Sequence, residues 1–305
     1  QPFVKVLCRV IYTMFYGTSG VMSTPVNVCA KFIAVFILFG AFLERTGISN
    51  FFIDLANSLV GSAAGGPAKV AVISSALCGM VSGSSVGNTV TTGSVTIPMM
   101  KKTGYKPEFA GAVEAASSTG GQIMPPIMGA AAFVMTEFLN VPYLTIALAA
   151  VIPAFFYFTG VYVSVHLEAK RTGLHGMPRD MLPDWRRLLR TRWTLALPIL
   201  GIVALLAAGF TPMLAAFFGL FIVIGVSFLH PETRMSGRNI IQGLEDGARA
   251  ALPVVVACAT AGIIVGIITL SGLGLKMAGG IVELAGGSVY LTLIFTMISS
   301  LILGM

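Results

Sequence analysis

The sequence predicts an all-α polytopic membrane protein with inverted-topology repeats, re-entrant helical hairpins, a discontinuous transmembrane helix and amphipathic interfacial helices. Its mean hydropathy is +0.90, and only 10% of its residues are charged, whereas soluble domains carry about 25%. Several apolar runs reach the roughly 20 residues that cross a bilayer. Two small, polar, glycine-rich segments, the first island (82–89) and the second island (117–126), interrupt this apolar sequence.

Hydropathy divides the chain into full spans, half spans and interfacial segments. The predicted full or partial spans are 2–16, 26–43, 142–166, 194–210, 213–229, 253–270 and 290–305. The half spans that flank the islands are 67–80, 89–100, 107–117 and 127–139. The segments predicted to lie at the interface are 48–60, 236–249 and 275–285.

Lysine and arginine residues predict the orientation of these spans. The loop 168–192 is rich in both and is predicted to be cytoplasmic. The segment 67–100 has Lys69 near one end and Lys101 after the other, so both ends are predicted to be cytoplasmic. We therefore predict that this segment is a re-entrant hairpin with the first island at its tip. The next segment, 107–139, is predicted to be a transmembrane helix broken by the second island.

Two glycine-bounded segments indicate an internal repeat. Thr46-Gly47 and Val60-Gly61 bracket one amphipathic segment, and Ser271-Gly272 and Ala285-Gly286 bracket another. The spans before them are predicted to run in opposite directions, which is typical of an inverted repeat. A second hairpin would then begin near 303–305, so the sequence is expected to be part of a longer polypeptide.

Several function classes are excluded or kept as alternatives. The net charge is +7, but the basic residues lie at span ends and in one loop, so no nucleic-acid partner is predicted. Cys8, Cys29, Cys78 and Cys258 have no spacing typical of metal ligands or a disulfide framework. No HExxH or GxxxxGK[ST] motif occurs, so neither an enzyme nor an ATP-driven pump is predicted, and no cofactor is expected. An ion channel with re-entrant hairpins remains the alternative.

The two islands are predicted to bind substrate and a coupling ion. Irregular backbone inside a membrane is tolerated where it lines a cavity, and paired broken segments are typical of transporter sites. The predicted substrate-binding residues are Ser84, Ser85, Asn88, Thr89, Thr119, Gln122 and Pro125. The residues predicted to bind or couple Na⁺ or H⁺ are Ser82, Gly83, Ser117, Ser118, Gly120 and Glu114. Among these, oxygen atoms of Ser82, Gly83, Ser118 and Gly120 are candidate Na⁺ ligands.

Simpler interpretations of these residues stay open. The first island could be a seam of small residues between packed helices, and the second a proline kink. Glu114 precedes the second island by one helical turn, at a depth where a comparable charged group costs roughly 2.5–3.5 kcal/mol on insertion scales. It is therefore expected to be protonated, ion-bound or paired. The alternative to a coupling role is that Glu114 snorkels towards the interface or forms a structural pair, with Lys69 as the candidate partner.

Several motifs together resemble the large membrane subunit of the tripartite ATP-independent periplasmic (TRAP) transporters. They are Gly-Ala-Phe-Leu-Glu (40–44), the island 82–89, Ile-Pro-Met-Met-Lys-Lys-Thr-Gly-Tyr (97–105) and Gly-Gln-Ile-Met-Pro-Pro (121–126). The segments 109–115, 166–170 and 244–249 resemble the fused form, in which small and large subunits share one chain.

The resemblance implies a secondary transporter of the bacterial inner membrane that carries a small organic anion by an elevator movement. It also implies cation coupling, small-subunit helices, either fused or separate, and a periplasmic substrate-binding protein of the TAXI type. The corresponding division is a scaffold part (1–66), a transport part (67–139), connecting spans (140–250) and the start of a second repeat (251–305).

Overall fold

The protein is a helical membrane protein in the described residues, which are 3–178, 182–229 and 233–304 of a computed structural model. Helices account for 82% of the structure, and no strand occurs in these ranges. Among the described residues, four helical stretches are long and apolar enough to cross a bilayer: Thr24–Arg45, Tyr143–Thr172, Trp185–Ala207 and Gly237–Ser271. The prediction of an all-α polytopic membrane protein is confirmed at this level. Arg179 and Met305, which entered the sequence argument, lie outside the described residues.

The helices follow the predicted segments closely. In chain order they are α1 (Phe3–Ile11), α2 (Thr24–Val28), α3 (Ala34–Arg45), α4 (Ile48–Val60), α5 (Gly66–Ser82), α6 (Ser85–Lys102), α7 (Pro107–Gly120), α8 (Ala130–Leu139), α9 (Tyr143–Thr172), α10 (Trp185–Arg192), α11 (Leu197–Ala207), α12 (Pro212–Ser227), α13 (Gly237–Ser271), α14 (Leu273–Leu284) and α15 (Val289–Gly304). One π-helical segment follows α1, and a second, Cys29–Ile33, joins α2 to α3. Short 3₁₀ turns occupy Gly121–Ile123 and Trp193–Ala196.

The chain forms two compact units. One contains the chain up to residue 27 together with the residues from 255 onward, and the other contains residues 28–254. In the larger unit, α5, α6 and α7 pack against one another, α9 packs on α5 and α7, and α12 packs on α3 and α11. The predicted boundaries at residues 66, 139 and 250 describe functional parts and stay predictions.

The segment 67–100 forms a helical hairpin with a shorter turn than predicted, and its re-entrant placement stays a prediction. Only Gly83 and Ser84 lie outside α5 and α6, so the prediction of an interruption over the whole first island is wrong. Gly83 ends α5 with a φ of +60°, a left-handed conformation that favours glycine. Ser84 then caps α6, because its hydroxyl accepts a hydrogen bond from the Gly87 N–H at 3.2 Å. The Thr89 hydroxyl donates to the Ser85 carbonyl, which is compatible with helix.

Buried apolar residues hold the hairpin base against its neighbours. They are Ala68, Ala71, Val72, Met100, Tyr105, Ala110, Val113, Val165 and Ala169. Burial raises the pKa of Tyr105 to about 12, so its phenol stays neutral and donates a hydrogen bond to the Gly65 carbonyl at 3.4 Å.

The predicted separation of 236–249 from 253–270 is wrong, because α13 continues through both. Pro253 lies inside it, where its ring removes the hydrogen bond to the Arg249 carbonyl without ending the helix. Glu245 and Arg249 form an ion pair one turn apart on this helix, at 2.9 Å.

Both copies of the glycine-bounded motif contain the same turn. Gly47 precedes α4 with a φ of +80°, and Gly272 precedes α14 with a φ of +65°. Glycine tolerates this left-handed conformation without steric cost, so each long helix can end and an amphipathic one can begin. The opposite orientation of the two copies stays a prediction.

Candidate functional site

The break between α7 and α8 lies later in the chain than predicted. Residues 117–120 are helical, and the non-helical backbone runs from the 3₁₀ turn at Gly121–Ile123 to Gly129. The prediction of a break over 117–126, with a new helix from Ile127, is therefore wrong. The helix persists through 120 because hydroxyls there bond within it: the Thr119 hydroxyl donates to the Ala115 carbonyl at 2.8 Å.

Hydrogen bonds from within the protein satisfy polar backbone groups of the segment between α7 and α8. The Gly129 N–H donates to the Gln122 carbonyl at 2.7 Å and closes the loop. The Tyr143 hydroxyl from α9 contacts the carbonyls of Pro126, at 2.8 Å, and Ile127. Inside a membrane such partners are required, because no bulk water can solvate the freed carbonyls.

The hairpin tip meets this break directly. The Gln122 amide donates a hydrogen bond to the Ser85 hydroxyl at 2.8 Å. Gly83 approaches so closely that a Cβ placed on it would lie 2.3 Å from the Met128 carbonyl oxygen. The structure thus brings together Ser82, Gly83, Ser84, Ser85 and Gln122 from the two islands.

Two glycines allow the hairpin and α7 to touch along their backbones. A Cβ on Gly79 would lie 2.3 Å from the Gly121 Cα, and one on Gly121 would lie 2.7 Å from the Gly79 Cα. No side chain fits in that space, so glycine is required at both positions. This close approach holds the C-terminal end of α7 beside the C-terminal part of α5.

A cavity of about 450 Å³, which we call the tip cavity, lies beside the hairpin tip and the break after α7. Its polar wall contains Ser82, Ser84 and Thr91, and the residues at the start of α8 include Ala130. The N-termini of α6 and α8 therefore both reach this cavity. Helix N-termini carry partial positive charge and unpaired N–H groups, which favour anions.

Arg45 and Asp246 line the same cavity and were missed by the sequence analysis. The Arg45 Nε donates to the Asp246 carboxylate at 2.9 Å, its terminal NH2 contacts the same oxygen, and NH1 donates to Gln242 at 3.1 Å. Arg45 ends a span, where a charged residue is ordinarily assigned to the interface, so sequence gave no signal that it faces a site.

Glu114 is fully buried among hydroxyl groups. Its Oε1 accepts hydrogen bonds from Ser75, at 2.8 Å, from Ser118, at 3.1 Å, and from Thr92. Its Oε2 accepts one from Thr96. The Glu114 carboxylate therefore joins α5 and α6, the two arms of the hairpin, to α7. We call Glu114 and these four residues the hydroxyl cluster.

The structure contradicts a pair between Glu114 and Lys69. The Lys69 ammonium lies over the Tyr162 ring, 5.1 Å from its centroid. No basic group forms an ion pair with Glu114 in the described parts of the chain. A spacing signal for the actual partners did exist, because Asn88, Thr92 and Thr96 repeat every four residues and share one face of α6.

Other predicted site residues have separate environments. Asn88 is buried and donates to the Ser75 carbonyl at 2.8 Å, while its own amide oxygen has no partner. The Ser117 hydroxyl is likewise buried without a partner. Thr119 is exposed, and Gly120 packs against the Tyr157 ring. Pro125 lines a second, apolar pocket between α5 and α9.

No disulfide joins any of the four cysteines, and the described residues contain no cluster of three His, Cys, Asp or Glu side chains. Neither a disulfide nor such a metal centre is therefore formed by these residues.

The comparison with protein families gives one match that covers nearly the whole chain. The model for the "Tripartite ATP-independent periplasmic transporter, DctM component" matches residues 9–305. The chain belongs to this family. The resemblance to the large membrane subunit is thus confirmed, and so are membership of a transporter family, as opposed to an enzyme family, and the inner-membrane location. The fused form stays a prediction.

Several curated proteins similar to this chain are named as TRAP transporter permease proteins. The C4-dicarboxylate TRAP transporter large permease protein DctM of Pseudomonas aeruginosa is 29% identical over 209 residues, covering 67% of this chain and 48% of the relative. The 2,3-diketo-L-gulonate TRAP transporter large permease protein YiaN of Escherichia coli is 25% identical over 278 residues, covering 90% and 64%. The isethionate TRAP transporter permease protein DctMQ of Oleidesulfovibrio alaskensis is 26% identical over 206 residues, covering 66% and 32%. The chain spans about half the length of the curated relatives it matches.

Proposed function

We propose that this chain belongs to the permease of an ion-driven secondary transporter that imports a small organic anion. The observation that carries the proposal is the cavity where the hairpin tip, the break after α7 and the start of α8 meet. The relatives named for C4-dicarboxylate, diketogulonate and isethionate all carry organic anions by name, which supports the same substrate class here.

The anion would bind to N–H and hydroxyl groups of the two islands. Ser84 and Gly87 from the start of α6 and Ala130 from the start of α8 line the cavity. Their helix dipoles favour a carboxylate. Arg45 lies on the same cavity and could exchange Asp246 for the carboxylate of the substrate.

The hydroxyl cluster is suited to carry the coupling proton. A hydroxyl can donate to an ionised carboxylate or accept from a protonated one. Thr92 and Thr96 also have backbone acceptors, the Asn88 carbonyl at 2.7 Å and the Thr92 carbonyl at 3.0 Å. The hydroxyls can therefore reorient to bond either form of the carboxyl group, with no change in backbone structure.

Na⁺ is the second candidate for the coupling ion. It is favoured by the two buried oxygen atoms without partners, Asn88 Oδ1 and Ser117 Oγ, because Na⁺ takes hard oxygen ligands. Of the predicted Na⁺ ligands, Ser82 and Gly83 lie at the tip, whereas the Ser118 hydroxyl is held by Glu114. The fit to Na⁺ is thus partial.

We propose that α5 and α6, with α7 and α8, form a transport part that moves against a scaffold in an elevator movement. The partners are a periplasmic substrate-binding protein of the TAXI type and small-subunit helices. The short tip between two packed arms, together with the backbone crossing at Gly79 and Gly121, supports movement of these elements as one body.

Uptake into proteoliposomes tests this function. The full permease is reconstituted, its binding protein is added outside, and accumulation of radiolabelled succinate and other organic acids is followed under an imposed proton or Na⁺ gradient without ATP. Accumulation that requires one gradient supports the proposal and identifies the ion. Passive currents across planar bilayers, without gradient-driven accumulation of any acid, would support a channel instead.

A further inference from the structure

A second cavity contacts the hairpin and shares no lining residue with the tip cavity. It is an apolar groove of about 510 Å³ between α5 and α9, lined by residues such as Ile73, Leu77, Phe155 and Tyr162. Its α9 wall runs from Val151 to Tyr162, which corresponds to about 16 Å of helix. This length and lining suit an extended hydrocarbon chain and not a polar solute.

Basic groups gather at the Tyr162 end of this groove. Lys69 is buried to 3% exposure, and its ammonium lies over the Tyr162 ring. His166 follows one turn later on α9. It lies close enough to Lys69 and Lys170 to interact with their positive charges. The His166 Nδ1 atom is buried without a hydrogen-bond partner.

No carboxylate neutralises this end of the groove. Lys69 forms no ion pair with any described residue, and Glu168, on the same helix as His166, is paired with Arg171 at 2.9 Å. A buried ammonium without a counter-ion is unfavourable, and an anion bound there would remove the cost. The groove therefore combines an apolar trough with an unneutralised basic end.

We propose that this groove binds one anionic phospholipid, with an acyl chain between α5 and α9 and the phosphate on Lys69 and His166. The charge of the chain agrees with this placement, because Lys69, Lys101 and Lys170 mark the predicted cytoplasmic side, where anionic lipid headgroups are found. The lipid would fill the space between the hairpin and α9. It would thereby link membrane composition to the elements that carry the transport site.

Native mass spectrometry of the full permease tests the proposal. Phosphatidylglycerol or phosphatidylcholine is added to delipidated protein, and bound lipid is counted. We expect phosphatidylglycerol to bind preferentially. We expect Lys69→Gln to weaken that binding about tenfold or more, since a hydrogen bond to a charged group is lost. Lys69→Arg should retain it, and inorganic phosphate should not compete.

Two further variants separate the groove from general surface charge. Lys102→Gln removes one positive charge from the exposed end of α6, outside the groove, and should bind phosphatidylglycerol like the wild type. Thr159→Phe fills the groove from an exposed position on α9 and should reduce bound phosphatidylglycerol. It also decides the question if Lys69→Gln does not fold.

Three results would overturn the proposal. One is equal binding of the two lipids by the wild type. Another is phosphatidylglycerol binding by Thr159→Phe at the wild-type level, which is expected if another segment of the full chain fills the groove. The third is an equal loss in Lys69→Gln and Lys102→Gln, which would reduce the effect to surface charge.

Discussion

The hydroxyl of Ser75 on α5 donates a hydrogen bond to the carboxylate of Glu114 on α7 at 2.8 Å. This bond ties α5, the first arm of the hairpin, to the helix that ends six residues after Glu114, at Gly120. Thr92 and Thr96 add the second arm to the same carboxylate. A change in the protonation of Glu114 would therefore alter the hydrogen bonds that join α5, α6 and α7.

The close approach of Gly79 and Gly121 predicts that Gly79→Ala is much less stable than a control variant, Gly111→Ala. Gly79→Ala puts a methyl group 2.3 Å from the Gly121 Cα, and we expect it to destabilise the protein by about 1 to 3 kcal/mol or more through overpacking. Gly111→Ala on α7 meets no atom within 4 Å, and we expect a gain of roughly 0.5 to 1 kcal/mol from helix propensity. Thermal unfolding in detergent, followed by circular dichroism, measures both. Equal melting temperatures would contradict the close crossing.

The tip is predicted to be reachable from water in one transport state. Ser84 is exposed and lines the tip cavity, whereas Ser74 is fully buried inside α5. In a background with the exposed Cys8 replaced by serine, we expect Ser84→Cys to react with a membrane-permeant thiol reagent and Ser74→Cys to resist it. The Ser84→Cys rate should change when substrate and the ion gradient are supplied. A rate as low as that of Ser74→Cys under every condition would contradict an accessible tip.

Much of the helical layout was predictable, because it depends on local patterns. The bounds of α4 match the predicted 48–60, since apolar residues at helical spacing and flanking glycines define it. The two breaks were located only approximately. Serine and threonine hydroxyls can bond within a helix, as Thr89 and Thr119 do, so a polar composition alone does not end one.

Most partners of the charged groups could not be predicted from the sequence. Glu114 was expected to be protonated, ion-bound or paired, but its partners are hydroxyls of α5, α6 and its own helix. Only the four-residue spacing of Thr92 and Thr96 on α6 gave a signal for them. Arg45 and Asp246 are 201 residues apart in the chain. Contacts at such separation depend on tertiary packing, which neither hydropathy nor spacing encodes.

Gln122 is predicted to join the break to the hairpin for transport. Its amide donates to Ser85 at 2.8 Å, so Gln122→Ala and Ser85→Ala should each reduce uptake. If the hydrogen bond is the shared cause, the double variant should lose little more than either single one. Initial uptake rates in proteoliposomes measure the three variants, with folding checked by gel filtration. Additive losses would mean that the two side chains act independently.

Arg45 is predicted to matter more for transport than for stability. Its ion pair with Asp246 is partly exposed, with side-chain exposures of 27% and 53%, so the pair should contribute no more than about 1 kcal/mol. We expect Arg45→Ala to unfold near the wild-type melting temperature. We expect it to lose uptake, because the substitution removes a positive charge from the tip cavity. Arg249→Ala, from an exposed pair on the same helix as Asp246, is the control and should retain uptake. A loss of uptake in both variants would point to surface charge in general.

Glu114→Gln tests the central claim, that Glu114 couples substrate movement to the ion gradient. Glutamine keeps the shape of the protonated side chain and its contacts with Ser75 and Thr96, but it cannot release a proton. In proteoliposomes, we predict that Glu114→Gln exchanges internal for external labelled substrate yet fails to accumulate it above the level of protein-free liposomes under a proton or Na⁺ gradient. Accumulation by Glu114→Gln at the wild-type rate under either gradient would contradict the account and leave the hydroxyl cluster a structural feature.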